Sequence, residues 1–358
     1  MNSTLIKKLK IIEFASVLAG PLAGNFFSEL GAKVIKIENP KTDGDITRSW
    51  RTPSEGGDSS ISAYYASANY GKESVFLDLT NEEDHKKALE ICVDADVVIS
   101  NFKPSSAKKL GITFSALKNL NPSLIFAQLS AYPEGKEAPA FDVLLQAQSG
   151  YLSMTGFQDK KYAKIPVAMI DMLAAHQLRE GILLALLERE IDGKGRKVST
   201  NLYAAALSGL INQASAYLMN GDLPQPLGSA HPQIAPYGDL FYTKDKVPLI
   251  LAIGTDRKFY SLLQLLGLEK YKDKFATNQD RVNQREELRQ ILANSINAIS
   301  AENITQMLDS ESIPYSKINN LKNVFDHKEA SDYLIDEMRE GRKCIKTKSV
   351  VFDIQQSN

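Results

Sequence analysis

A chain of 358 residues with 43% hydrophobic and 24% charged side chains is long enough for about two globular domains and too apolar to stay disordered. The formal net charge of -1 leaves no overall field to draw the protein to nucleic acid or to an acidic membrane, so neither is expected as a partner. Cys92 and Cys344 stand outside any CxxC pattern, and no stretch approaches the ~20 apolar residues that cross a bilayer; a soluble, cytoplasmic protein without a disulfide framework or zinc site is expected.

In chain order, "LKIIEF" (9–14) reads as a strand, "GPLAGNFFSELG" (20–31) as a helix closed by Gly31, and "AKVIKIE" (32–38) as a second strand ending on Glu38. The strand "ESVFLDL" (73–79), the polar helix "NEEDHKKALEICVDA" (81–95), the strand "DVVISNF" (96–102), a helix around "SSAKKLG" (105–111) and the strand "SLIFAQLS" (123–130) follow. Strands separated by helices predict an α/β fold with a mostly parallel sheet. A helix apolar nearly all round is predicted from Asp171 to Glu190, then the loop "IDGKGRK" and a strand "VSTNL". Residues 221–238 concentrate Pro and Gly and read as a long loop, and "PLILAIG", "KFYSLLQLLGL" and "QREELRQILANSINAIS" predict a smaller α+β region.

Common catalytic templates are absent. Glu38 closes the second strand where a ribose-binding acid would sit, but "AGPLAG" lacks the G-x-G-x-x-G glycines, so a tight strand-to-helix turn is the better reading. His85, His176, His231 and His327 form no metal spacing, and neither a G-x-S-x-G elbow nor a complete P-loop occurs. The informative stretch is "KIPVAMIDMLAAHQ" (164–177), where Asp171 interrupts what would otherwise be continuous core. An isolated carboxylate out of water costs several kcal/mol, so something must offset it. Asp171 reads either as the N-cap of the following helix or as a nucleophile in an apolar wall, held ionised by helix-terminal N–H groups; both can hold together.

The segments "LAGPLAGNFFSELGAKVIKIENPKTDGDITR" (18–48), "GKESVFLDL" (71–79), "ADVVISNFKPSSAKKLG" (95–111), "NPSLIFAQLSAY" (121–132), "FDVLLQAQSGYLSMTG" (141–156) and "PVAMIDMLAAHQLREGILLALLEREIDGKGRKVSTNL" (166–202) together resemble the class III CoA-transferases, the CaiB/BaiF family of formyl-CoA and carnitine CoA-transferases and α-methylacyl-CoA racemases. The resemblance implies a Rossmann-like large CoA-binding domain over 1–200, a linker helix over 201–225, a small α+β domain over 226–315 and a C-terminal segment, 316–358, returning to the large domain. It also implies an interlocked, ring-like homodimer.

For function it implies an aspartate nucleophile at Asp171, with an acyl-CoA and a carboxylic acid acceptor as substrates. CoA is a substrate carried as its thioester; no metal and no other cofactor is implied. Family CoA contacts carry over to Val17, Leu18, Leu77, Asp78, Leu79, Thr80, Asn101, Phe102 and Lys103. Lys109 falls where relatives often carry a basic residue, and Asn39 replaces the Arg of formyl-CoA transferase. Racemases of the family have a histidine where this chain has Phe141, before Asp142, and two-base racemisation needs an acceptor on each face of the α-carbon. CoA transfer is therefore the expected reaction, with racemisation or CoA binding without catalysis as the alternatives.

Overall fold

The computed structural model describes residues 5–56, 59–134, 136, 138–157 and 161–355. The chain divides into two compact units, the first made of Met1–Ser149, Pro166–Asn212 and Glu329–Asn358, the second of Gly150–Ile165 and Gln213–Lys328.

The first unit is α/β. Strands β1 (Lys10–Phe14) and β2 (Lys33–Glu38) flank helix α1 (Ala19–Glu29); α2 (Ala63–Asn69) precedes β3 (Glu73–Phe76), and α3 (Glu82–Cys92) leads to β4 (Val97–Ser100). Two short helices, α4 (Pro104–Lys109) and α5 (Phe114–Leu120), lead to β5 (Ile125–Ser130), which is followed by α6 (Asp142–Gln148). The chain then enters the second unit through α7 (Tyr151–Met154) and the paired strands β6 (Gly156–Phe157) and β7 (Lys161–Tyr162). It returns as the 24-residue α8 (Met169–Asp192) and β8 (Arg196–Asn201).

Six strands form one sheet in the order β3-β2-β1-β4-β5-β8, and every pairing is parallel. Such sheets are covered on both faces, which is why β1, β4 and β5 read as apolar runs rather than alternating ones. On one face Ile12, Phe14, Val98 and Phe126 pack with Ala88 and Cys92 of α3 and Leu117 of α5. α8 packs against α1, β5 and β8, burying Ile170, Ala174, Leu178, Ile182 and Ala185 at helical spacing. Full burial of each Leu or Ile contributes roughly 1.5–3 kcal/mol. α8 stops at Gly193, whose φ of 70° supplies the left-handed cap a Cβ would oppose.

Between residues 201 and 225 the chain forms two helices, α9 (Leu202–Ser208) and α10 (Ile211–Asn220), separated by Gly209 and Leu210, with a φ of 42° at Ile211. The second unit carries an antiparallel sheet of β9 (Tyr237–Tyr242), β10 (Pro248–Ala252) and, after helices α11 (Asp256–Leu265), α12 (Asn278–Asn283), α13 (Arg285–Ile296) and α14 (Ala301–Ser310), β11 (Tyr315–Lys317). Phe241, Leu249, Phe259, Leu292 and Leu308 lie in its core. After α15 (Leu321–Asp326) the hairpin of β12 (Leu334–Arg339) and β13 (Arg342–Thr347) belongs to the first unit, where buried Arg339 donates to Asn69 O at 2.5 Å and Ser74 Oγ at 2.8 Å. Among the described residues no helix is long and apolar enough to cross a membrane, and Cys92 and Cys344 are both free and buried.

Candidate active site

In an open parallel sheet, ligands enter the crevice at the carboxyl ends of the strands where the chain order reverses. Here β1 has β2 on one side and β4 on the other, so the crevice is built from the segment after β1, Ala15–Leu18, and the segment after β4, Asn101–Lys103. Asn101 ties the two together: its Nδ2 donates to Ser16 O at 2.9 Å and its Oδ1 accepts the Ser16 amide at 3.3 Å. The next residue, Val17, has a φ of 73°, a backbone state that a β-branched side chain adopts only at a cost of about 1–3 kcal/mol. Both Asp45 carboxylate oxygens lie 3.2 Å from the Val17 amide and hold it there.

Asp45 belongs to a buried charge ladder. Lys36 Nζ lies 2.9 Å from Asp45, 3.0 Å from Glu13 and 2.5 Å from Ala15 O, and Lys72 Nζ meets the other Glu13 oxygen at 2.8 Å. Burial alone would lower the Lys36 pKa, but the Glu13 and Asp45 carboxylates outweigh it and hold the ammonium above its ordinary range. Lys72 is pushed down to about 7, chiefly by burial. Glu38 has no free carboxylate for a ribose: burial opposes its charge, yet Arg48, bonding both its oxygens at 2.8 Å, outweighs this and brings it down to about 2.

Two adjoining cavities open at this edge and share Ser16 and Phe102. One, of about 340 Å³, is lined by Val17, Leu18, Asn101, Phe102, Lys103, Lys136, Phe141 and Asp171. The other, of about 470 Å³, is lined by Asn39, Leu77, Asp78, Leu79 and Thr80. The nine positions carried over from the family, together with Asn39, thus fall on two neighbouring cavities. Lys109 does not: it is exposed in the last turn of α4 and lines neither. The Asp78 carboxylate is already occupied, 2.6 Å from Lys41 Nζ and 2.7 Å from Thr80 Oγ1, and these bonds take it down to about 2.

Asp171 departs from two sequence expectations. It is not the N-cap but the third residue of α8, whose N-cap, Ala168, makes no side-chain bond. The helix starts earlier because Asp142 accepts the Ile170 amide at 2.7 Å, a partner 28 positions away that local spacing does not reveal. Nor do helix-terminal N–H groups hold Asp171 ionised. Half-buried, it accepts no hydrogen bond and forms no ion pair among the described residues, and burial followed by the Asp142 charge pushes its carboxyl up to about 7. The run around it is not continuous core either: Ile170, Ala174 and Ala175 are buried, whereas Val167 is 51% and Met172 39% exposed. Sequence reading also missed Lys136 and Asp45, which carry no local motif and reach the site only through the fold.

A family model described as CoA-transferase family III matches residues 6–358. The succinate–glutarate CoA-transferase of Agrobacterium fabrum is 35% identical over 88% of this chain and 80% of its own length. The human succinyl-CoA:glutarate CoA-transferase is 30% identical over 90% and 74%. The crystal structure of a CAIB/BAIF family protein from Brucella suis superposes with a TM-score of 0.84 at 31% identity, covering 97% of this chain and 92% of that one. Joined with the sheet-edge crevice and its carboxylate, these likenesses establish that the chain belongs to CoA-transferase family III and is a transferase.

Proposed function

We propose that the protein moves CoA from an acyl-CoA to a free carboxylic acid by covalent catalysis at Asp171. The observation that carries this reading is an unpartnered carboxylate of raised basicity opening into a cavity that adjoins the one lined by the matched CoA positions. The Asp171 carboxylate attacks the thioester carbonyl, CoA leaves as thiolate, and an aspartyl mixed anhydride remains. The thiolate then attacks the Asp171 carbonyl, releasing the donor acid and leaving an aspartyl-CoA thioester. An acceptor carboxylate attacks that thioester, expelling the thiolate and forming a second anhydride, and the thiolate takes the acceptor acyl group and frees Asp171. The charge balances at each step and no outside oxidant, metal or base is consumed.

Val17, Leu18, Asn101, Phe102 and Lys103 are the contacts proposed near the thioester end of CoA, and Asn39 and Leu77–Thr80 those of its remainder. Lys109 stays a contact only to a phosphate reaching past the cavities. Relatives are named for succinate, glutarate, oxalate and mesaconate, all short dicarboxylic acids. By that analogy this enzyme takes a dicarboxylate, and Lys136 in the Asp171 cavity supplies a cation for its far carboxylate. A second copy of the chain completes the assembly as an intertwined homodimer, for which the exposed apolar residues beside Asp171 are the support.

Incubation with a panel of acyl-CoAs, quenching with hydroxylamine and mass spectrometry of the peptide carrying Asp171 test the mechanism. A hydroxamate at Asp171, ping-pong kinetics and a fall in turnover of at least ~10³-fold in folded Asp171→Ala are expected. Normal exchange in that variant would end the reading. Lys136→Ala raises KM for a dicarboxylate acceptor about tenfold and leaves acetate as acceptor unaffected. Equal effects on both acids would remove Lys136 from substrate recognition.

A further inference from the structure

The amides that open α8 have no intrahelical acceptor; Met169 donates to Val167 O at 2.8 Å, and Ala168 has no side chain able to accept from the next. The acceptor comes from another element. Asp142, the first residue of α6, places Oδ1 2.7 Å from the Ile170 amide, while its Oδ2 is fixed 2.5 Å from Gln146 Nε2 one turn along α6. The residue after the capped amide is Asp171. A carboxylate at the third helical position ordinarily gains from the helix dipole and from free N–H groups nearby. Here a second carboxylate has taken the donor and set its own negative charge against that dipole.

The geometry points to Asp142 as a positioning residue for Asp171: a cap supplied from α6 that fixes the first turn of α8, claims the Ile170 amide, and leaves the Asp171 carboxylate unbonded and opposed by a like charge. This rests on the reading of Asp171 as the nucleophile. Its chemical effect is to keep the carboxylate basic, because hydrogen bonds to a carboxylate withdraw the electron density that attack on a thioester requires. The raised pKa of Asp171, caused first by burial and then by Asp142, agrees with it.

The other titratable and charged groups around Asp171 do not substitute for Asp142. Lys103 and Lys136 line the same cavity and carry the opposite charge. Tyr64 on α2 interacts with the charges of both Asp171 and Asp142 and stays neutral, its pKa raised by burial and by those charges. Of the elements packed on α8, α1 carries only Glu29, bonded to Lys346; β8 carries Lys197 and Arg196, the latter bonded to Asp192; α9 carries Tyr203, beside Tyr132; β5 carries no charge. On α8 itself His176 lies beside Arg179, and burial followed by the Arg179 charge lowers its pKa.

Asp142→Asn keeps an oxygen for the Ile170 amide and removes the charge; Asp142→Ala removes both. Two readouts separate the roles: the carboxyl 13C titration of Asp171 in protein labelled at aspartate, assigned with Asp171→Asn, and the pH profile of kcat/KM for acyl-CoA. In Asp142→Asn the Asp171 midpoint and the acid limb of the profile move together to lower pH by roughly half a unit or more. In Asp142→Ala kcat falls about tenfold with KM nearly unchanged, and Asn restores most of it. An unmoved Asp171 midpoint in Asp142→Asn overturns the inference, as do equal losses of kcat in the two variants. Should the Ala variant fail to fold, Asp142→Ser, which keeps a smaller neutral acceptor, takes its place in that comparison. The titration reads the Asp171 carboxyl of the free enzyme, whether or not that group goes on to attack a thioester. Absence of a hydroxamate therefore counts against the nucleophile alone, and an unmoved titration against the cap alone.

Discussion

Asp171 places a stability cost on the same atoms to which the proposed mechanism gives a chemical role. Its folded pKa of about 7 stands above the ~3.9 of an unfolded aspartate, so between those pH values the folded chain holds a proton that the unfolded chain has lost. Stability from this group is full below about pH 4, falls as pH rises through that window, and changes no further above about pH 7. Asp171→Asn removes the effect. Thermal melts of the two proteins are expected to agree at pH 4 and to separate by about 4 kcal/mol in favour of Asn at pH 8; a gap independent of pH would contradict this. The same ionisation predicts an acid limb near pH 7 in the rate of acyl transfer. Glu38 behaves in the opposite way: Arg48 pairs with both its oxygens, and Glu38→Gln leaves a buried guanidinium short of a partner. A loss of about 3–5 kcal/mol in urea unfolding is expected, and a loss below 1 would show that Glu340, also 3.3 Å from Arg48, carries the pair.

At the scale of elements, the position of Asp171 depends on how α8 meets the sheet. Gly181 on α8 has no room for a Cβ, which would stand 2.5 Å from Val198 Cγ1 on β8. Gly181→Ala lifts the helix, costing about 1–3 kcal/mol, and shifts its first turn. Its kcat is expected to fall, and Val198→Ala in the same chain to recover both stability and rate; a strictly additive double variant would refute the contact. The strands and α8 were readable in the sequence because "KIIEF", "KVIKIE" and "IFAQLS" are apolar runs bounded by helices. The start of α8 was not, because its cap arrives from Asp142. Neither was the Asp45 hold on Val17, since an aspartate in "GDITR" looks like any loop carboxylate until β1 and β2 bring Lys36 beside it. The nine positions carried over from the family, with Asn39, came together at the sheet edge, while Lys109, placed by family spacing alone, lines neither cavity.

At the scale of the molecule, α8 presents Leu184, Leu187 and Ile191 at 60%, 62% and 87% exposure, one stripe of a helix whose other side is buried. The proposed pairing with a second copy supplies a cover for it. Sedimentation of the wild type is expected to give a dimer, and Leu187→Asp a smaller species or a weaker association; a folded, fully active monomer in the wild type would dismiss the pairing.

Val17 carries a consequence of another kind. Glycine there would relieve the left-handed backbone and raise the melting point, so a screen for heat tolerance alone would reach that replacement early. It would also slacken the turn that Asp45 and Asn101 keep taut, and, on the proposed contacts of that turn with CoA, hardier descendants would handle the coenzyme less well.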